Sequence, residues 1–309
     1  MTLNQAAGRY FEEKSKNTRS RQNDDYQLAN LIKGLCASTF LSDITENQIS
    51  AYAARRRNQV GPASVNREIE LLRRVFRRAQ TVWRVDIGEM PAWKELLFVE
   101  PEGRKRELSR NEEVRLMARE ELPEDLGYLA QFCILTGMRK MNAIQLTWSQ
   151  VHWDEGEIKI RVKSRKPGGE EHTIPISSAV RGLLAAQYGK HPIFVFSYIC
   201  RRSRGGRRKG ERYPFSASGW RGDWKRSLEA AQVEDFKFHD TRHTAGTRTA
   251  RVGGLHAAKE LLGHKDIAST MRYTHVTRDD VREAMERAES RNNPEPAPIE
   301  NANPLKGRK

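Results

Sequence analysis

The stretch GHKDIASTMRYTH, residues 263–275, places two histidines and a tyrosine in one short segment that follows the apolar run GLHAAKELL. His264 and Tyr273 are separated by about 900° at 3.6 residues per turn, so one unbroken helix would put them on opposite faces. Gly263 stands where a helix commonly ends in glycine. The pattern therefore predicts that a helix ends at Gly263, that His264 lies in the connection, and that Tyr273 lies on a following helix.

The composition points to a polyanionic partner. The 309 residues include 55 lysines and arginines against 40 aspartates and glutamates, which gives a net charge of +15. A basic chain of this size with 37% hydrophobic residues is typical of a globular nucleic-acid-binding protein of about two domains. The sequence contains no run of 18 or more apolar residues, so it indicates no membrane span. Its N-terminus lacks the charged-then-apolar order of a signal peptide. We expect a cytoplasmic, DNA-associated protein with no membrane contact.

The cysteine pattern argues against a disulfide-rich protein and against a zinc-ribbon protein. Cys36, Cys133 and Cys200 are odd in number, widely spaced and contain no CxxC pair. Neither a disulfide framework nor a zinc ribbon is indicated, and a reducing compartment is expected.

The hydrophobic periodicity predicts two folded parts and a tail. The boundaries are 1–100 for a helical domain, 101–108 for a linker, 109–291 for a second domain and 292–309 for a disordered tail. The run ASVNREIELLRRVFRRAQTVW has apolar residues at three- and four-residue steps, which indicates an amphipathic helix. In the second domain, Ser109 and Glu112 form a capping-box pattern, and Gly137 ends an apolar helix. Alternation at 157–176 then predicts a β-hairpin with a basic tip.

Two basic surfaces are candidates for phosphate contact. One is a stripe on the amphipathic helix, formed by Arg67, Arg74 and Arg78. The other is the segment RRSRGGRRKGER, residues 201–212, which we expect to be a mobile, DNA-seeking loop. Its candidate DNA-binding residues are Arg201, Arg202, Arg207, Arg208 and Lys209. Solvated surfaces with no ligand are the alternative for both.

Three separated segments carry the most specific signal: TGMRKMNAIQLTW at 136–148, FHDTRHT at 238–244 and the opening stretch. In this order, with a hairpin lysine between the first two, they resemble the tyrosine recombinase (phage integrase) family. The resemblance covers about residues 105–290, whereas residues 10–95 match the family's helical core-binding domain only in general character. It implies a mainly α-helical fold with a small β-sheet, in which a core-binding domain precedes an α+β catalytic domain.

Carried over by position, the resemblance assigns the catalytic set. Arg139 and Arg242 become the two arginines that clamp the phosphate, and Tyr273 becomes the nucleophile. His239 lies between the arginines, and His264 follows the LG pair. The hairpin lysine has two candidates, Lys166 and Lys163, because the spacing to the proline of the second strand favours Lys166 without excluding the other.

Physical chemistry accounts for these residue types. An unperturbed tyrosine has a pKa of about 10, so attack at neutral pH needs a base or a strong field, and His239 is a candidate base. Arginine offers a permanently charged planar fork that matches phosphate oxygens. A lysine on the hairpin would protonate the leaving 5′-oxygen, and His264 would hydrogen-bond a non-bridging oxygen. The scheme needs no metal, no ATP and no other cofactor.

Asn142 departs from the family pattern. The family commonly has an acidic residue three positions after the first arginine, and asparagine can accept a hydrogen bond there but brings no charge. A zinc site built from His239, His243, His264 and His275 is the metal alternative, but no HExxH-type spacing supports it. His275 fits better as a support for the tyrosine's segment.

The partners and the competing functions follow from the same resemblance. It implies a homotetramer on two double-stranded DNA sites and leaves an accessory directionality factor open. After the tyrosine, Val281, Ala284, Met285 and Ala288 form one helical stripe that would pack on its own domain or dock on a neighbouring protomer. The alternatives are a type IB topoisomerase-like enzyme and a catalytically weak DNA-binding regulator with the same fold.

Overall fold

The computed structural model describes residues 1–18, 20–162, 168–203, 205–273, 281–282, 285–286 and 288–289. The chain divides into two compact units, Met1–Gly103 and Arg104–Lys309. Within the described ranges, no helix has the length and apolar character that crossing a membrane requires. The predicted tail at 292–309 and His275 lie outside the described residues.

The first unit is helical, as the periodicity predicted. Its α-helices are Leu3–Tyr10 (α1), Arg21–Leu35 (α2), Glu46–Arg57 (α3) and Pro62–Thr81 (α4). The helix α4 has its proline at the first turn, where the missing N–H costs nothing. The side chains of Val65, Ile69, Leu72 and Phe76 are buried along one face of α4 in the unit's core. The predicted amphipathic helix is confirmed.

The second unit combines helices with two small sheets. Its helices are Arg110–Met117 (α5), Glu124–Thr136 (α6), Lys140–Ile144 (α7), Ser178–Gln187 (α8), Arg221–Ala230 (α9) and Asp240–Leu262 (α10). Its strands are Val151–His152 (β1), Glu157–Val162 (β2), Glu170–Pro175 (β3), Ser197–Ile199 (β4) and Arg212–Pro214 (β5). The first three strands form an antiparallel sheet in the order β1-β2-β3, and β4 pairs with β5. The predicted mainly α-helical fold with a small β-sheet is confirmed.

The predicted hairpin is the β2–β3 pair. Its register runs from Glu157 opposite Pro175 to Val162 opposite Glu170. The alternating Ile158 and Ile160 side chains are buried in the core of the unit. The turn, residues 163–167, lies outside the described residues, and with it both lysine candidates, Lys166 and Lys163.

Two glycine-terminated helices meet next to the candidate residues. The helices α6 and α10 end at Gly137 and Gly263, both in the left-handed conformation, with φ 62° and 60°. A side chain at Gly137 would begin 2.5 Å from the Leu262 side chain at the end of α10. The predicted helix end at Gly263 is therefore confirmed, and the structure adds that the two helix ends are in contact.

The segment after Gly263 differs from its prediction. Tyr273 lies in a 3₁₀ turn, Met271–Tyr273, which follows another at Ile267–Ser269, and not on an α-helix. Asp266 caps the first turn by accepting a hydrogen bond from the Ala268 N–H. Local side-chain bonds of this kind compete with helix propagation, which explains the short turns.

The second half of the predicted linker is bound to the second unit. Arg104 donates hydrogen bonds to Asp235 and Asp240. The Leu108 side chain is fully buried, and its N–H donates to the Thr244 hydroxyl at 2.9 Å. From Arg104 onward the segment helps to hold the start of α10.

Candidate active site

Arg242 is anchored between the ends of α6 and α10. Its side chain is 5% exposed, and its two terminal nitrogens donate to the carbonyl oxygens of Gly137 at 2.7 Å and Leu262 at 2.6 Å. The guanidinium thus binds the negative ends of two helix dipoles. Burial, and next the nearby Arg139 charge, lower the pKa of Arg242 to about 10, so it remains a cation at neutral pH. These bonds use two of its five N–H donors and fix the plane of the fork.

A cavity of about 770 Å³ lies in this unit beside the end of α10. Arg139, His239 and His264 contribute to its wall. Other lining residues are Lys140, Met141, Asn142, Val162, Glu170, Glu171, His172, Gly263, Lys265, Asp266 and Ser269. Arg139 is exposed at the N-terminal end of α7, where its side chain is accessible to an anion. The cavity therefore brings together three of the six predicted catalytic residues.

Tyr273 is buried beside this cavity and is not one of its lining residues. Its side chain is 6% exposed, and its ring is stacked on that of His264 with centroids 6.2 Å apart and planes 13° apart. The phenol packs against Gly246 in α10, where an added Cβ would lie 2.9 Å from the tyrosine Cζ. His264 is held by a 2.9 Å hydrogen bond between its Nδ1 and the Thr270 hydroxyl. The predicted nucleophile and the predicted phosphate ligand are thus adjacent.

His239 and His243 form a line of rings toward the tyrosine. His239 occupies the N-cap position of α10, and its ring centroid lies 5.7 Å from that of His243, whose centroid lies 5.7 Å from that of Tyr273. Partial burial, and next the Arg242 charge, lower the pKa of His239 below its ordinary value of 6.5. His239 is therefore neutral at pH 7, as a general base must be.

Sequence reasoning missed His172 of this site and named His243 only as a ligand of the alternative zinc site. His243 has a signal, because it stands four residues after His239 and so shares its helical face. His172 has none, because it reaches the cavity from β3 through the tertiary fold.

Asp240 fixes the first turn of α10 through buried hydrogen bonds. Its carboxylate is 2% exposed and accepts hydrogen bonds from Arg104 at 2.8 Å and from the Lys237 N–H at 2.8 Å. A carboxylate in the first turn of a helix also interacts favourably with the helix dipole. This network fixes the backbone that carries His239 and Arg242.

The sequence model described as the phage integrase family matches residues 106–280, which include every predicted catalytic residue. The chain belongs to the phage integrase family. Its members include tyrosine recombinases, and this chain is a tyrosine recombinase by that membership.

Two relatives with names align with this chain over more residues than the family model does. The shufflon-specific DNA recombinase of Escherichia coli is 24% identical over 291 residues, which cover 89% of this chain and 69% of that protein. The integrase of Salmonella phage P22 is 27% identical over 218 residues, which cover 67% of this chain and 52% of the phage protein.

Among solved structures, the Tn1549 transposon integrase in complex with a circular intermediate DNA aligns with a TM-score of 0.73 and 16% identity. The alignment covers 93% of this chain and 99% of the solved chain. A lambda integrase tetramer bound to a Holliday junction aligns with a TM-score of 0.67 and 18% identity, covering 86% and 78%. At these identities the alignments show the integrase fold in both units.

Asn142 does not take over the role of the family's acidic residue by direct contact. It lines the cavity, but in the part of the integrase chain that the structure describes no hydrogen bond joins it to Arg139. In the same part, no three His, Cys, Asp or Glu side chains are grouped so that they could hold a metal ion.

The predicted arginine stripe on α4 is only partly available to a ligand. Arg67 and Arg74 are exposed. Arg78 instead forms an ion pair with Glu13 at 2.7 Å, and Arg9 and Arg78 together lower the pKa of Glu13 to about 2. Arg78 therefore has a structural partner that the spacing along the helix did not predict.

The basic segment 201–212 follows β4, runs into the start of β5 and contacts tyrosines on both strands. The Arg207 guanidinium lies 6.0 Å from the ring of Tyr198 and 5.7 Å from that of Tyr213, and it donates to the Tyr198 hydroxyl at 2.7 Å. The Arg208 N–H donates to the Tyr213 hydroxyl at 3.0 Å. Tyrosines on both flanking strands thus contact this segment, and its mobility and its contact with DNA stay predictions. Arg201, Arg202, Arg207, Arg208 and Lys209 are all exposed on it.

Proposed function

We propose that this integrase-family chain is a site-specific DNA recombinase that cuts one strand through a 3′-phosphotyrosine on Tyr273 and rejoins it to a partner strand. The observation that carries the proposal is the convergence of Tyr273, His264, Arg242, Arg139 and His239 around one cavity of one unit. The matched relatives include a DNA recombinase and phage integrases, which supports this reaction over other phosphoryl transfers.

The proposed step transfers the 3′-phosphoryl group from the 5′-oxygen to Tyr273. The Tyr273 oxygen forms a bond to phosphorus while the bond from phosphorus to the 5′-oxygen breaks, so the 5′-strand leaves as a hydroxyl after taking a proton. Lys166 on the hairpin turn is the proposed donor of that proton. The phenolic proton passes to His239, and Arg139 and Arg242 stabilise the charge on the non-bridging oxygens. Because the phosphotyrosine conserves the bond energy, rejoining by the reverse step needs no ATP.

The buried position of Tyr273 adds a requirement. A phosphodiester in the cavity contacts the exposed Arg139 and His239, whereas the tyrosine lies behind the wall against Gly246. The segment 264–273 must therefore shift when DNA binds, so that the phenol reaches the phosphate.

We also propose double-stranded DNA and further copies of this chain as partners. In one of the solved structures that share this fold, a lambda integrase tetramer is bound to a Holliday junction. In this chain Val281 and Met285 of the predicted C-terminal stripe are 47% and 59% exposed, as a docking stripe would be before assembly. This arrangement favours a recombinase over a topoisomerase that religates the same strand.

A covalent-adduct assay tests the proposal. Protein is incubated with fragments of the genome that encodes the chain, free DNA is removed under denaturing conditions, and attached ends are sequenced. Nicked half-sites built from the recovered sequence should trap a stoichiometric adduct, because the short strand beyond the nick diffuses away. Sequence-specific binding to the genome fragments without any adduct would favour the DNA-binding regulator.

The pH dependence of adduct formation is expected to follow His239. Only the neutral imidazole accepts a proton, and the pKa of His239 lies below 6.5 because burial and Arg242 disfavour the cation. The rate at sub-saturating DNA, which reports the free protein, should rise with pH and reach half its plateau below pH 6.5. His239→Gln should remove this rise and lower the plateau by about 10²-fold or more. A half-plateau above the ordinary histidine value would contradict the assignment.

The exposed hairpin cations are expected to contribute to the salt dependence of DNA binding. Each phosphate contact adds about 0.9 to the slope of log K against log salt, so the double change Arg202→Ala and Arg208→Ala should reduce the slope by about 1.8. The charge-matched control is Lys225→Ala with Arg226→Ala, which removes two exposed cations of α9. Equal slopes for the two double variants would show that the hairpin makes no phosphate contact of its own.

A further inference from the structure

His172 joins the β2–β3 hairpin to the end of α10. It lies on β3 opposite Ile160, and its ring reaches the last turn of α10. The distance between its Nε2 and the Leu261 carbonyl oxygen is 3.1 Å, and because a carbonyl only accepts, Nε2 must carry the proton. The ring also packs on Gly263, where an added Cβ would lie 2.9 Å from its Cε1 and Nδ1.

A second contact joins β3 to the chain just after α10, four residues beyond Leu261. The Lys265 ammonium lies 2.7 Å from the Glu170 carboxylate, which is two residues before His172 on β3. The side chains of this pair are 57% and 31% exposed, so by itself it contributes little. Its importance is its position, because the two contacts lie on either side of Gly263 and His264.

The carbonyls at the end of α10 are thus divided between two partners. Leu261 accepts from His172, and Leu262 accepts from the buried Arg242. Gly263 follows Leu262 and has no side chain. The next residue is His264, whose ring is stacked on that of Tyr273. A displacement of β3 would therefore be transmitted to the residues that face the tyrosine.

We propose that His172, assisted by Glu170, is a positioning residue that latches the lysine-bearing hairpin to the end of α10. The latch holds His264 at a fixed spacing from strand β3 of the hairpin. The catalytic consequence of this inference rests on the proposed function, in which the hairpin lysine and His264 act on the same phosphate. Burial, partly opposed by the bond to the Leu261 carbonyl, lowers the pKa of His172, and so does the nearby Arg242 charge; the ring is a neutral donor at pH 7.

Two variants separate the hydrogen bond from the packing. His172→Phe keeps a planar ring against Gly263 but has no N–H, whereas His172→Gln keeps an N–H donor. The single-turnover rate of adduct formation at saturating nicked DNA should fall about 10-fold to 100-fold in the phenylalanine variant, because misplacement of about 1 Å has effects of this size. The DNA dissociation constant should stay within twofold, and the glutamine variant should recover most of the rate.

Amide hydrogen exchange gives a readout that needs no catalysis. The N–H groups of Gly263 and His264 bond to the Glu260 and Lys259 carbonyls, so their protection reports the end of α10. In His172→Phe these two amides should exchange about 10-fold faster, while the amides of α8 exchange as in the unchanged protein. Loss of protection throughout the unit would mean that His172 only stabilises the fold, and unchanged protection would overturn the latch.

The two measurements separate the inference from the function on which it rests. If the unchanged protein forms no adduct, the proposed function fails, and hydrogen exchange alone then decides whether the latch exists. If the unchanged protein forms the adduct and His172→Phe matches it in rate, the positioning role is wrong.

Discussion

Arg242→Ala is expected to lower the rate of phosphotyrosine formation about 10³-fold and to destabilise the second unit at the same time. Removing one positioned donor from a charge-stabilising site costs about 10²- to 10³-fold in rate, and here a full charge is removed as well. The substitution also leaves the buried Gly137 and Leu262 carbonyls without their donors, at about 1–3 kcal/mol each. Single-turnover adduct rates at saturating DNA and urea unfolding measure the two effects separately.

Arg139→Ala is the matched control for this prediction. Arg139 is exposed at the cavity, so its loss should lower the cleavage rate by about 10²- to 10³-fold while the free energy of unfolding changes little. If Arg242→Ala weakened only DNA binding and left unfolding and cleavage of the bound site unchanged, Arg242 would be a DNA-positioning residue and its catalytic assignment would be wrong.

Tyr273→Phe is expected to abolish the covalent adduct and to leave DNA affinity nearly unchanged. The phenyl ring keeps the packing against Gly246 and the stack on His264, and only the hydroxyl oxygen that would bond to phosphorus is lost. The control is Tyr188→Phe, which removes the hydroxyl of a tyrosine that is 70% exposed outside the cavity. Adduct formation by the Tyr273 variant would assign the nucleophile to another residue.

The sequence predicts features of this fold that depend on neighbours along the chain. The left-handed helix end at Gly263 follows from a glycine after an apolar run, and the capping box at Ser109 follows from a glutamate three residues later. The β2–β3 hairpin follows from alternation interrupted by a proline and two glycines. Each of these patterns selects one backbone conformation locally, so no tertiary information is needed.

Contacts between distant residues are not encoded in such patterns. Arg78 is 65 residues from Glu13, so its pairing could not be read from its spacing along α4. His172 is 89 residues from Leu261, and its contact depends on how β3 packs on the end of α10. The order of the motifs indicated which residues share a site, but the structure was needed to show what supports them.

The buried tyrosine is the feature that sequence reasoning could least anticipate. Its burial depends on a close approach to Gly246, which stands in an ordinary helical run with nothing to mark it. With Tyr273 as the proposed nucleophile behind the cavity wall, the proposed cleavage depends on a shift of the segment 264–273. DNA binding and cleavage are therefore expected to be separable steps in this recombinase.

The chemical identity of the protein–DNA bond decides whether Tyr273 is the nucleophile. The adduct formed on nicked half-site DNA is digested with a protease and a nuclease, and the nucleotide-bearing peptide is sequenced by mass spectrometry. We predict a single modified peptide in which Tyr273 carries a 3′-linked nucleotide. A nucleotide on any other residue, or a 5′-linkage on Tyr273, would contradict the proposed reaction.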